Sequence, residues 1–155
     1  MKKKFYPFIY IFIFLLQFKV ISQTNYDIYC ELDSKEKTIT ISQTITFKNT
    51  SNNKLNKIYL NDWANSYEGT ESQLVNHLAN QFNRSFYFSA KNKLGYTEIK
   101  SIINNQSSLK WSRLEDQLDI VEVVLYEALN PGEIVNFSIN YTIKLPDDKF
   151  TGYGV

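Results

Sequence analysis

Between Thr38 and Asn49 the chain reads TITISQTITFKN. Ile39, Ile41, Ile45 and Phe47 take odd positions, while Thr38, Thr40, Ser42, Thr44 and Thr46 take even ones. Successive side chains of a strand point to opposite faces, so this period of two predicts one buried face and one wet face. A helix would scatter the same residues around its axis. The pattern returns near the end of the chain. There Val135, Phe137, Ile139, Tyr141, Ile143 and Leu145 alternate with Asn136, Ser138, Asn140, Thr142 and Lys144. Two strands of this kind require an antiparallel sheet with a core on one side.

The rest of the chain follows the same logic. Tyr26, Ile28, Cys30 and Leu32 alternate along residues 26–32, and the polar run Asp33 to Lys37 links them to the first strand as a hairpin. Before the last strand, Asn130-Pro131-Gly132 offers Pro to fix φ and Gly to take a positive φ, a type II turn. The stretch LDIVEVVLYEAL preceding it is apolar at most positions, which predicts a strand covered on both faces. Weaker strands are expected at 55–60, 85–89, 97–103 and 109–112. One helix is expected after Thr70-Glu71-Ser72-Gln73, read as a capping box, with Leu74, Leu78 and Phe82 forming an apolar stripe over about three turns. The predicted fold is mainly β: an antiparallel β-sandwich or a curved, saddle-like sheet with one short helix.

The N-terminus is of a different character. Lys2 to Lys4 precede an apolar stretch from Phe5 to Phe18, and Val20-Ile21-Ser22 ends in a small residue. Residues 1–22 read as a secretory signal peptide, with an uncleaved anchor as the alternative; the apolar run is short for a span of about 20 residues. No cysteine follows it, so lipid anchoring is not expected. The chain beyond, 23–155, is a single domain, and no integral membrane segment is expected after cleavage. Cleavage lowers Lys plus Arg from 17 to 13 against 16 acidic residues, a net charge near −3. That balance gives no reason to expect nucleic acid as a partner. Cys30 is the sole cysteine, so no internal disulfide can form, and its apolar register predicts a small core residue. Asn-X-Ser/Thr triplets begin at Asn49, Asn83, Asn105, Asn136 and Asn140, and in so Asn-rich a chain they carry no weight.

Catalytic groups are hard to assemble from this composition. A zinc site needs about three protein ligands, and His77 is the one histidine. A nucleophilic triad fails for the same reason, and no phosphate-binding glycine loop is present. The carboxylates Glu115, Asp116, Asp119 and Glu122, and the pair Asp147 and Asp148, lack the regular spacing of a calcium loop and read as solvated charge. Trp63, Tyr67, Phe86, Tyr87 and Tyr96 fall outside clear strand registers. Trp63, Tyr67 and Tyr96 are the candidates for an aromatic surface that would bind glycan or peptide.

Taken in order, several stretches resemble the N-terminal domain of the gluzincin aminopeptidases, the M1 family related to aminopeptidase N. YDIYCELD followed by ITISQTITFKN resembles the opening strands. IYLNDWANSY is similar to the L-x-x-W-x-N-x-Y stretch of a secreted bacterial branch, where a short helix and an aromatic FYF run also follow. GYTEIKSI resembles the next strand, and LNPGEIVNFSINYTIKLP the Leu-x-Pro-Gly turn and its succeeding strand, with Tyr141 at a recurrent tyrosine. The wider family often carries Gly two residues later; Ile143 stands there and suits the secreted branch. KFTGYGV resembles the start of the segment running toward the active-site cleft.

The resemblance implies a secreted, periplasmic or cell-surface zinc aminopeptidase as the parent protein, with peptide as its substrate. Zinc would be held by His-Glu-x-x-His and a later Glu, and the substrate amino terminus by Gly-x-Met-Glu-Asn. Neither motif occurs in this chain, so no catalytic and no metal-binding residue carries over, and no cofactor is expected in it. The chain is expected to be an incomplete N-terminal β domain whose partner is the catalytic domain of the same polypeptide. Trp63 and Tyr67 would then be buried at a strand-to-helix corner, and Trp63→Ala should lower thermal stability. Two other readings stand beside this one. The first is a self-contained secreted β-sandwich binding glycan or peptide; the second is a cell-envelope interaction domain.

Overall fold

Residues 24–155 are described by a computed structural model; the expected signal peptide lies outside them. Eight strands form two antiparallel sheets. They are β1 (Thr24–Asp33), β2 (Thr38–Lys48), β3 (Leu55–Asn61), β4 (Tyr96–Asn104), β5 (Ser107–Ser108), β6 (Lys110–Leu114), β7 (Gln117–Leu129) and β8 (Ile134–Lys144). The larger sheet has the order β1-β2-β8-β4-β5 and the smaller β3-β7-β6. The one α-helix, α1 (Gln73–Asn80), and a 3-10 turn at Trp63–Tyr67 lie between β3 and β4. None of the described helices is long and apolar enough to cross a membrane. The expected mainly β architecture, two antiparallel sheets with one helix, is what the chain adopts.

The alternation read in β2 and β8 is realised residue for residue. The strands pair antiparallel, with Ile45 opposite Phe137, Gln43 opposite Ile139 and Ile41 opposite Tyr141. Ile45, Phe137 and Ile139 are buried against Ile58, Val121, Val123 and Leu125 of the smaller sheet. In β4 the register against β8 slips between Ile99 and Ser101. This bulge at Lys100 shifts the parity, so that Ile99 and Ile102 both face the core although they stand an odd number of positions apart. The Asn130–Glu133 turn forms as expected. Gly132 has φ +83°, and the Glu133 amide donates to the Asn130 carbonyl at 3.1 Å.

Several expectations are corrected. The apolar row of β1 is not buried: Ile28 is 54% and Leu32 63% exposed, and Cys30 is exposed with them. Alternation assigned these residues correctly to the core-facing side, but β1 is an edge strand and the narrower sheet does not reach over it. Likewise β7 is covered on one face only. Val121, Val123 and Leu125 point inward, while Tyr126 faces out and donates to the Ser108 carbonyl. Residues 85–89 form turns rather than a strand. Phe86 instead enters a second core with Tyr67, Val75 and Phe150, its ring stacked on Phe150 at 4.1 Å between centroids.

The helix also differs from its reading. Ser72 is the N-cap, its hydroxyl accepting from the Val75 amide at 3.2 Å, so the position three residues on is Val and no reciprocal capping box exists. Eight residues give about two turns. Phe82 lies beyond the helix end at φ +63°, with its ring in solvent rather than in the stripe.

Trp63 is 56% exposed and Tyr67 is 3% exposed, so only Tyr67 is the buried structural aromatic expected at this corner. Replacing Trp63 by Ala is expected to change stability by less than about 0.5 kcal/mol, as at other surface positions. Phe137→Ala, in the main core, is expected to cost about 3–5 kcal/mol. Thermal denaturation of the two variants side by side checks both values.

Candidate functional site

β3 runs beside β7 within the smaller sheet and ends at Asn61, and the next residue still pairs with β7, the Asp62 amide donating to the Asp119 carbonyl at 2.7 Å. The following 3-10 turn carries Asn65 into the interior, where it is fully buried. Its Oδ1 accepts from the Thr97 amide at 3.0 Å, and its Nδ2 donates to Glu68 Oε2 at 2.8 Å and to the Leu118 carbonyl at 3.0 Å. Asp62 completes the corner: its Oδ1 accepts from the Thr97 hydroxyl and its Oδ2 from Arg113 Nη2, both at 2.7 Å. Arg113 also donates to the Leu118 and Thr97 carbonyls. Every donor and acceptor of this cluster that points inward is matched, which is what allows charge and amide to sit there.

Beside this corner lies a cleft of about 350 Å³ between the sheets. Its apolar floor comes from Ile45, Ile99, Val121 and Ile139, and its rim from Gln43, Asn61, Asp62, Tyr26, Tyr59 and Tyr141. The Tyr141 hydroxyl donates to Gln43 Oε1 at 2.9 Å. Burial raises the Tyr141 phenol above its ordinary pKa, with the nearby Asp62 charge adding to the effect, so it stays neutral and acts as a hydrogen-bond donor. On the outer face of the smaller sheet, Glu122 accepts from Lys57 Nζ at 2.7 Å and from the Tyr59 hydroxyl at 2.9 Å. Both contacts, Lys57 first, hold its carboxyl below the ordinary range. A wider groove of about 590 Å³ lies at the other end of the sandwich, between the ends of β4 and β7 and the start of β8.

The three aromatics read as a ligand platform do not share one face. Trp63 and Tyr96 are exposed, whereas Tyr67 is buried with its hydroxyl 2.7 Å from Thr151 Oγ1 and its ring near Phe86. His77 is on the exposed side of α1, its Nε2 3.1 Å from the Gln81 amide nitrogen. Among the described residues no three His, Cys, Asp or Glu side chains converge as metal ligands. Zinc therefore has no fitting donor set here, and no chemistry is assigned through it. Of the carboxylates noted in the sequence, Asp147 pairs with Lys93 at 3.1 Å and Glu122 with Lys57. No sequence pattern announces the Asp62–Arg113 pair, because Arg113 sits in a short, weakly patterned strand. The clue was a polar Asn61-Asp62 step ending an apolar run.

The chain matches no family model and no curated protein. Among solved structures it is similar to an M1 zinc metallopeptidase from Deinococcus radiodurans. Against a Glu-to-Ala mutant of that protein bound to a Tyr-Ser-Ala substrate, the identity is 16% and the TM-score 0.48, covering 77% of this chain and 19% of the other. The same mutant without that substrate gives 17% identity and a TM-score of 0.47, covering 77% and 20%. The unmutated protein gives 17% and 0.46, covering 77% and 19%. This chain thus spans 19–20% of the length of those proteins. Overlap at this level is a likeness of chain trace and assigns no activity or residue role.

Asn65→Ala would strand the Thr97 amide, while the Leu118 carbonyl would keep its bond from Arg113. A loss of about 1–3 kcal/mol in urea unfolding, the cost of one buried unpaired group, is the expected outcome. Glu122, Glu133 and Asp147 all have carboxyls held below their ordinary pKa, chiefly by hydrogen bonds from Lys57, Asn130 and Lys93 respectively. A depressed folded pKa gives stability that is complete above the unfolded value and lost as pH falls through the folded one. The melting temperature should therefore be level near neutrality and fall below the ordinary carboxylate range. Glu122→Gln should make that acid slope shallower.

Proposed function

We propose that the chain is the N-terminal β domain of a secreted zinc-dependent aminopeptidase-like protein. In this reading it has no catalytic role, packs on the catalytic domain of the same polypeptide and helps to wall the substrate cleft. The order and spacing of its strand, corner and turn stretches support this reading. One structural observation supports the packing role: the apolar face of the larger sheet continues past its cover. Ile45, Phe137 and Ile139 are buried by the smaller sheet, yet Tyr26, Ile28 and Leu32 on the same face stand in solvent. A row of large apolar side chains on one open sheet face is the mark of a surface that another body covers. Zinc, peptide substrate and hydrolysis would belong to the parent protein, and export to the segment before Thr24.

Two measurements test this. Reading the gene past the codon for Val155 is expected to reach His-Glu-x-x-His and a later Glu in frame; an in-frame stop would overturn the fragment reading. The purified 155-residue chain is expected to release nothing from an aminoacyl-anilide, and measurable turnover would show catalytic groups of its own. The exposure of Trp63 and Tyr96 favours a second reading, a glycan- or peptide-binding sandwich. Its sign would be a glycan-array signal that Trp63→Ala abolishes.

A further inference from the structure

The edge of the larger sheet at β1 carries acidic side chains but lacks the other devices that blunt an edge strand. Natural edges are kept from pairing by charged side chains, lysine above all, and by proline, bulges or shortness. β1 is ten residues long, TNYDIYCELD, with neither lysine nor proline. It pairs with β2 in an unbroken register from Thr24 opposite Phe47 to Asp33 opposite Thr38. Among the described residues no strand pairs with its other side.

The side chains on this edge carry a repeating message. One face presents Tyr26, Ile28, Cys30 and Leu32; the other presents Asn25, Asp27, Tyr29, Glu31 and Asp33. Asp33 is engaged by the turn, accepting from the Lys35 and Glu36 amides. Asp27 and Glu31 are not so engaged. Their cross-strand neighbours are Thr44 and Thr40, and neither has an ion-pair partner among the described residues. Four residues apart on a strand, these two carboxylates stand about 13 Å from each other along the edge.

We propose that the outer edge of β1 is a strand-addition site for an extended segment of a separate polypeptide, one in which apolar residues alternate with Lys or Arg. The backbone of that segment would pair with the outer edge of β1 from Asn25 to Asp33. Its apolar side chains would extend the row of Tyr26, Ile28, Cys30 and Leu32, and its cations would stand opposite Asp27 and Glu31. Opposite charges directly across a strand pair stabilise it, and like charges oppose it. A second copy of this chain paired antiparallel about Tyr29 fits poorly for that reason, since that register sets Asp27 against Glu31 twice. The inference does not depend on the peptidase reading, since an added strand extends the open face without occupying it.

The test uses the full 155-residue chain and synthetic nine-residue peptides followed by fluorescence anisotropy. An alternating Val/Lys peptide is expected to bind at least about tenfold more tightly than an alternating Val/Glu peptide. The double variant Asp27→Lys, Glu31→Lys, with both changes at exposed positions, is expected to keep the parent melting temperature and reverse that preference. Val/Lys peptides N-methylated at alternate residues, made in both phases, separate pairing from simple attraction: one phase should bind and the other should not. Equal binding of Val/Lys and Val/Glu peptides, or of both N-methylated phases, would overturn the proposal. So would a homodimer whose β1 amides are protected from hydrogen exchange.

Discussion

Thr97 is held twice by one corner of the chain. Its amide donates to Asn65 and its hydroxyl to Asp62, and the same aspartate grips Arg113. Thr97 belongs to the larger sheet and Arg113 to the smaller, so this cluster ties the two layers together with directed bonds rather than contact alone. Apolar packing between sheets is non-directional and tolerates sliding. A buried amide and a partly buried ion pair tolerate little, because each misplacement leaves a polar group unpaired. At the opposite end a second asparagine performs the same service. Asn49 is fully buried, its Nδ2 donating to the Asn53 and Leu129 carbonyls and its Oδ1 accepting from Ser51. A chain that cannot form a disulfide thus fixes both ends of its sandwich with hydrogen-bonded asparagines.

The position of these rivets explains the shape of the cleft. Asp62 and Asn65 hold the end of β3 against the start of β4, which leaves Tyr59, Tyr141 and Tyr26 around an opening the smaller sheet does not close. The smaller sheet has three strands and the larger has five. The mismatch leaves apolar residues of one continuous face in two conditions, sealed beneath β7 and open along β1. The second core of Tyr67, Val75, Phe86 and Phe150 forms separately, under the helix and the C-terminal segment.

Much of this was readable from the sequence, and the failures share a cause. Period two states which side chains share a face, and it was right for β1, β2 and β8. It cannot state whether a second layer reaches that face, so Cys30 and Leu32 were assigned to a core that stops short of them. Phe86 escapes the pattern because three neighbouring aromatics look like a strand until a helix and Phe150 offer the first of them a pocket. Trp63 escapes it because exposure at a corner depends on which way the turn carries each ring. The turn there buries Tyr67 and, in the same step, turns Trp63 outward. Asn65 and Arg113 were silent for a different reason: a polar residue advertises its type, and only its partners say that it is buried.

The pairing of β2 with β8 has a bearing on how the molecule comes into being. Thr38 lies opposite Lys144 and Lys48 opposite Ile134, so the central strand pair joins segments separated by most of the domain. β8 also carries β4 on its other edge. A chain emerging from its N-terminus can close the β1–β2 hairpin early, but that hairpin has nothing to lie against until the final strand arrives. Contacts of such long sequence separation form slowly, since a large loop must be closed before they are rewarded. The domain is therefore a keystone arch in time as well as in space, standing only once its last strand has been set.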